Sequence, residues 1–435
     1  MTDFVVIHGL AKTDIVSRGM TESMTFWKGG GPKMNGLKKI VPVFFLLLCL
    51  FSPYAGAESE EDVFDFMLAV TRQDIEMNWW FSVPPQFGPV VTSINEVTKG
   101  ENFKILPIFS NYGSESGKEV DISYDVEIVR PDGTIDVSEK SLTGFKGRPS
   151  GDHLLPSQGI LVVSFDPEDP FGEYTINVSA RDHIKNRNVK KSRKITLRKF
   201  GEIETEESPE KWFRSYPMQP RPSSALATFV NSPRPFLDEK GHALWSGLWI
   251  YKIVYSENEF LIPHTVEFYI NKATGKQRKD IILLFHLLGK TGLLPIGKEY
   301  KDYLSDVLRI EIPDPYEKIE TGDQLDMLWA EFFATSRIKP IRQILTAFNL
   351  SAHIGTLDKI KTGELKKTDD VLKKAMLEAV FQSAVWSTMS NCKQSPLVFH
   401  YCAGLFESGQ LNETEKGYLG AILKNVSQEK QKPAE

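Results

Sequence analysis

Between residues 120 and 128 the chain alternates apolar and polar positions without a break. Val120, Ile122, Tyr124, Val126 and Ile128 take one parity; Asp121, Ser123, Asp125 and Glu127 take the other. Successive side chains of an extended strand point to opposite faces, so this segment predicts a strand with one face on a core and one in water. Arg130-Pro131-Asp132-Gly133 then predicts a turn, proline fixing φ and glycine supplying the permissive position. The alternation returns over residues 172–180, with Tyr174, Ile176, Val178 and Ala180 inward and Thr175, Asn177 and Ser179 outward. Weaker strands are expected near 90–97, 103–109, 160–165 and 189–197. Short strands separated by turns across residues 89–201 read as an immunoglobulin-like antiparallel β-sandwich.

Further along, the period becomes helical. Leu325, Leu328, Trp329, Phe332 and Phe333 recur at i, i+3, i+4, i+7 and i+8, one apolar stripe with Asp323 as its cap. Ile341, Ile344, Leu345 and Phe348 predict a second helix from Pro340. More helices are expected at 242–255, 262–271, 276–288, 370–390, 396–407 and 413–424. Ser395-Pro396 reads as a cap followed by a first-turn proline, and Asn412 with Glu415 as a capping box. No fixed repeat emerges, so residues 224–426 are expected to form an irregular α-helical bundle or a short α-solenoid. The fold class is therefore multidomain, all-β plus all-α. Residues 58–88 are expected to hold an amphipathic helix, from the spacing of Val63, Phe66, Met67 and Val70, and a lead-in. Residues 202–223 concentrate glutamate and proline and are expected to be an unpacked linker or strap. The polar residues 427–435 are expected to be a disordered tail.

Residues 34–57 have the form of a secretory signal peptide. Lys38 and Lys39 precede an apolar run over 40–51, and Ala55-Gly56-Ala57 offers the small residues a signal peptidase accepts. The run is about a dozen residues, short of the roughly 20 a spanning helix needs. Residues 1–33 fit no targeting pattern and are read as lying upstream of a translation start at Met34. The expected product is exported, periplasmic or secreted, cleaved near Ala57 and without a transmembrane segment.

Charge adds one exclusion. With 52 Lys and Arg against 57 Asp and Glu, the chain lacks the strong basic excess typical of nucleic-acid binding, and no nucleic-acid partner is expected. The basic run from Arg181 to Lys199, including Lys190, Lys191, Arg193 and Lys194, is the strongest local charge feature. Lysines on an edge strand guard against edge-to-edge pairing; the rival reading is peripheral contact with an anionic surface.

Candidate chemistry is sparse. The eight histidines form no HExxH pair, and no serine sits in a GxSxG elbow. Gly289-Lys290-Thr291 resembles the end of a phosphate loop, but Leu284 stands where the motif needs glycine, so Gly289 is read as a helix C-cap. Cys392 and Cys402, expected on successive helices, suit a disulfide in an oxidising compartment better than a metal site. No metal and no cofactor is expected. Trp245, Leu248, Trp249 and Ile253 sit at helical spacing and are read as core. The adjacent Trp79 and Trp80 point to different faces and make an interface candidate. These features lead to the expectation of a non-enzymatic binding or adaptor protein with an unknown protein partner in a bacterial envelope. The alternative is an envelope hydrolase whose dispersed active site lies in the helical region.

Overall fold

The computed structural model describes residues 63–74, 80, 91–113, 119–149, 154–201, 208–238 and 242–430. The signal segment, Trp79 and residues 431–435 lie outside them. Among the described residues the strands are β1 (Asp65–Thr71), β2 (Glu96–Thr98), β3 (Phe103–Ser110), β4 (Val120–Val129), β5 (Ile135–Gly147), β6 (Leu155–Pro156), β7 (Leu161–Val163), β8 (Gly172–Asp182) and β9 (Arg187–Arg198). One sheet runs β2-β9-β8-β4-β5; the other runs β1-β3-β6, with β7 also pairing β3. The alternation read in β4 and β8 reappears as alternating burial. Their inward residues meet Phe66, Phe103, Phe109 and Phe165 in one core shared by both sheets.

Two expectations change here, and one strand, β5, carried no sequence signal. The sheets curl as a half-barrel, and β2 pairs with β9 in parallel, so the pairing is not wholly antiparallel. The helix expected from Val63 to Val70 is the strand β1, paired antiparallel with β3. Phe66, Leu68 and Val70 share its inward parity, and the helical spacing had passed over Leu68. Finally, β5 has no clean alternation, because as an outermost strand it is exposed along most of its length.

The helices are α1 (Pro209–Ser215), α2 (Ala225–Val230), α3 (Trp245–Glu257), α4 (Leu261–Asn271), α5 (Gly275–Leu287), α6 (Lys301–Val307), α7 (Gly322–Thr335), α8 (Ile338–Thr346), α9 (Thr356–Lys361), α10 (Asp369–Gln394), α11 (Pro396–Glu407) and α12 (Glu413–Lys430). Two of their start signals behave as the sequence implies. Ser395 Oγ accepts from the Val398 N–H (3.4 Å), and Asn412 and Glu415 bond reciprocally at 2.9 and 3.2 Å. At the end of α5, Gly289 has φ +67° and the Lys290 N–H reaches Phe285 O at 2.8 Å, a Schellman closure. The cap of α7 is Thr321 rather than Asp323, with Gln324 completing the box.

α7 joins two cores. Leu325, Leu328, Trp329 and Phe332 pack with α8, α10, α11 and α12. Met327 and Ala330, on its other side, pack with α1 to α5. A helix buried on both faces cannot be shed without opening both cores, which makes α7 the spine of the helical region. Among the described residues, no helix is long and apolar enough to cross a membrane.

The expected linker is a packed element. Residues 202–207 are not among those described, but α1 lies inside the glutamate and proline-rich stretch. Ser208 Oγ accepts from the Lys211 N–H (3.2 Å), Pro209 occupies the first turn, and Trp212 is fully buried. Trp212 stacks on Tyr251 of α3 with centroids 5.2 Å apart. A serine cap, a first-turn proline and one large anchor overrode the composition.

Candidate functional site: the seam between strands and helices

The end of β1 turns directly into the helical region. Arg72 pairs at 2.6 Å with Glu101, the two side chains being 9% and 0% exposed. Its two terminal nitrogens donate to Glu96 O of β2 (2.7 Å) and Pro220 O beyond α1 (3.0 Å). Glu101 in turn accepts from the Thr98 N–H at 2.8 Å. Gln73 Nε2 and Ser336 Oγ, from opposite regions, both donate to Pro217 O (3.4 and 3.0 Å). The segment after α1 is thus a strap whose carbonyls are shared by strands and helices. Nearby, Gly100 has φ +76°, and a Cβ there would stand 2.9 Å from Phe260 Cβ, so the β2–β3 turn needs glycine to touch the helices.

Beside the strap lies a cavity of about 330 Å³, lined by Asp74, Asn102, Lys104, Tyr216, Glu257 and Arg337 among others. Arg337 Nε donates to Asp74 Oδ2 (3.0 Å), and its Nη1 stands 2.9 Å from Glu257 Oε1. Lys104 Nζ donates to Asp74 Oδ1 and to Gln73 O (3.1 Å). Burial alone pushes the Asp74 carboxyl up, but Lys104 and Arg337 outweigh it and hold the group below its usual value. At Glu257 burial wins over Arg337 and the carboxyl is raised. Burial likewise raises the Tyr216 hydroxyl. Every charge at this seam faces an opposite one, and both carboxylates in the cavity are occupied by cations.

A second cavity, about 360 Å³, opens at the margin of the half-barrel between β1 and β9. Phe66, Leu68, Ile108, Lys191 and Arg193 line it. Lys191 bridges to Asp65 at 2.9 Å and lies 5.5 Å from the centre of the Phe66 ring. A third feature sits on α7, where Asp323 and Asp326 are one turn apart. Burial and the Asp323 charge push the Asp326 carboxyl up to about 7. Burial also raises Asp323, against the pull of His242. Neither aspartate lines the two cavities.

The residues singled out from the sequence fall apart in space. Trp80 is buried at 5%, its Nε1 donating to Leu154 O (2.8 Å), so it is a prop under β3 rather than an interface; Trp79 lies outside the described residues. Cys392 and Cys402 are both free and fully buried, which removes the expected disulfide. They fill the helical core as small apolar groups. The Cys402 thiol is pushed up by its contact with Cys392 and by burial, away from reactivity. Trp245 and Trp249 are core, as their spacing implied. Part of the basic run is compensated: Lys194 meets Glu173 at 2.6 Å and Arg198 meets Glu96 at 2.5 Å. Sequence reasoning missed the seam, because Asp74 and Arg337 are 263 positions apart and share no local pattern. Arg72, followed directly by Gln73 and Asp74 after an apolar run, was the one local hint.

No family model matches the chain, and no curated protein matches it. Among solved structures, it is similar to a family 123 glycoside hydrolase from Clostridium perfringens described in terms of glycolipid glycan hydrolysis. That match has TM-score 0.19 and 7% identity, over 47% of this chain and 36% of the other. It is also similar to a family 76 glycoside hydrolase from a bovine Bacteroides thetaiotaomicron strain, with TM-score 0.16 and 10% identity, over 74% and 87% of the two chains. The chain thus spans about a third of the first of these enzymes. Likeness at this level establishes neither fold nor activity.

Proposed function

We propose that the chain is an exported, non-enzymatic binding or adaptor protein, its β and helical regions held as one body and its ligand taken in the seam cavity. The observation behind this reading is the charge compensation of that cavity. A general acid or base needs a carboxyl free to exchange a proton, and Asp74 and Glu257 are instead engaged by Lys104 and Arg337. Fixed, paired polar groups around a concavity at a boundary between regions suit recognition. The β region is read as immunoglobulin-like, since two sheets share one core and the early strands β1 and β2 divide between them. Export rests on the form of residues 34–57.

Affinity capture of the processed protein from native envelope extract, after mild cross-linking, tests the reading. A reproducible, stoichiometric partner whose cross-links fall around the seam and vanish in Arg337→Ala is expected. Recovery of the protein alone and monodisperse at low and moderate salt would overturn it. Intact mass of the purified protein tests export, with loss of residues 1–57 as the expected result.

One observation favours the hydrolase alternative. Burial, and then the neighbouring Asp323 charge, push the Asp326 carboxyl up to about 7, the direction a general acid needs. Glycosidase or peptidase activity lost in Asp326→Asn would establish it. Without such a role, Asp326→Asn stabilises the fold by about 1–3 kcal/mol above pH 7, because burying the ionised carboxyl is no longer required. That gain shrinks as the pH falls from 7 and vanishes below the ordinary aspartate value of 3.8, where Asp326 is protonated in both states.

A further inference from the structure

The margin between β1 and β9 has the shape of a place for one more strand. The Thr196 N–H of β9 donates outward to Asn95 O at 2.8 Å, where β2 lies beside it. Backbone direction alternates along a strand, so the N–H and C=O groups of Lys190, Ser192 and Lys194 face the same outer side. Beyond Thr196–Arg198, however, no described segment pairs with that edge of β9. The outer edge of β1 is used in the same partial way. Val70 O accepts from the Ile94 N–H at 2.7 Å, while Leu68 and Phe66, of the same parity, have no described backbone partner on that side. The run 93–98 therefore fills one end of a strand-wide mouth, and among the described residues no backbone pairs along the other end.

The side chains change where the cover stops. The inward positions Ile195 and Leu197, beside β2, are buried, whereas the next inward positions are Arg193 and Lys191, both half-buried. Inward charges and edge lysines are an ordinary defence against pairing. A purely defensive edge has no use for adjoining apolar surface, yet Met67 and Leu154 flank the mouth at 52% and 51% exposure. Unpaired edges, apolar lining on both faces (Phe66 and Leu68 inward, Met67 and Ile108 outward) and a pair of inward cations occur together.

We propose that this mouth docks an extended, acidic and apolar segment of a partner polypeptide by strand addition to β9. The segment pairs with the outward groups of Lys190, Ser192 and Lys194. Its apolar side chains lie against Met67 and Leu154 on the outer face, and its carboxylates meet Lys191 and Arg193 on the inner face beside Phe66. This surface is separate from the seam cavity and rests only on the reading of the chain as a binding protein.

The test uses the purified protein and a short fluorescein-labelled peptide of alternating Glu and Val, read by fluorescence anisotropy. Saturable binding is expected, with new amide-exchange protection at Lys190, Ser192 and Lys194. Ser192→Pro removes an N–H that faces the mouth and leaves the β8 ladder intact, since its N–H points away from β8. Its affinity should fall about tenfold, with at most a small fall in melting temperature from loss of the exposed Ser192 Oγ bond to Asn177. A proline-interrupted peptide of the same charge should bind no better than that variant. Equal binding by the interrupted peptide, or protection absent from β9 in the wild type, overturns strand addition even if Ser192→Pro misfolds. Protection of these amides without peptide, in a self-associating protein, makes the occupant a second copy and also overturns the proposal. Failure of the peptide alongside a partner cross-linked at the seam would sink the mouth and leave the binding reading standing.

Discussion

The seam and the mouth are cavities of similar size with opposite electrostatic histories. At the seam, Arg72, Lys104 and Arg337 meet Glu101, Asp74 and Glu257, and both the strands and the helices that carry them are fixed by their own cores. At the mouth, Lys191 meets Asp65 and Arg193 lines the same cavity, and the strand that would lie between β1 and β9 is missing over half their length among the described residues. The same residue types are therefore structural in one place and available in the other. What separates them is whether a second fixed element supplies the counter-charge. A buried charge that loses its partner is costly, while an exposed one returns to water at little expense.

The largest effect should come from breaking the seam at its driest point. Arg72→Ala leaves Glu101 buried without a cation and frees Pro220 O, and about 3–5 kcal/mol of stability should be lost in urea denaturation. Trp212→Ala tests whether the strap is as important as the ion pair. Removing a fully buried indole that stacks on Tyr251 should cost roughly 3–5 kcal/mol as well, visible as a fall in the denaturation midpoint. If either variant were near wild type, the seam would be a contact surface rather than the joint of the molecule.

Arg337→Ala acts on a half-exposed pair, so solvent screening limits its cost to about 1 kcal/mol. Its pH dependence is more telling. Asp74 is held below its usual value, so its contribution is present above the unfolded carboxyl range and lost as pH falls through the folded value. Melting temperature against pH should therefore lose part of its acid limb in Arg337→Ala. An unchanged limb would mean that Lys104 alone holds Asp74. At the mouth the expected stability change is smallest: Lys191→Ala and Arg193→Ala should each move stability by less than about 0.5 kcal/mol. A loss as large as that of Arg337→Ala would erase the distinction between the two cavities.

Much of the architecture was legible where the information is local. The alternation of β4 and β8, the stripe of α7, and the caps at Ser395 and Asn412 depend on neighbours within one or two turns. Misreadings arose where two periods fit one segment or where composition masked an anchor. Phe66 and Val70 satisfy both a helical and a strand spacing, and only the pairing of β1 with β3 decides between them. Glutamates and prolines hid Trp212, whose burial depends on Tyr251 arriving from a different helix. The adjacent Trp79 and Trp80 suggested a surface, but Trp80 is held inside by Leu154 O.

Of the candidate sites, the sequence by itself determined the basic character of β9 and nothing of the seam. Periodicity and capping are short-range properties, so the chain fixes them before it folds. Which charges meet is a long-range property. The approach of Asp74 to Arg337 follows from two cores packing against one strap, and a contact of that kind leaves no periodic trace in the residues that make it. The tertiary structure alone decided that the seam is saturated with opposite charge and that, among the described residues, no strand fills the mouth.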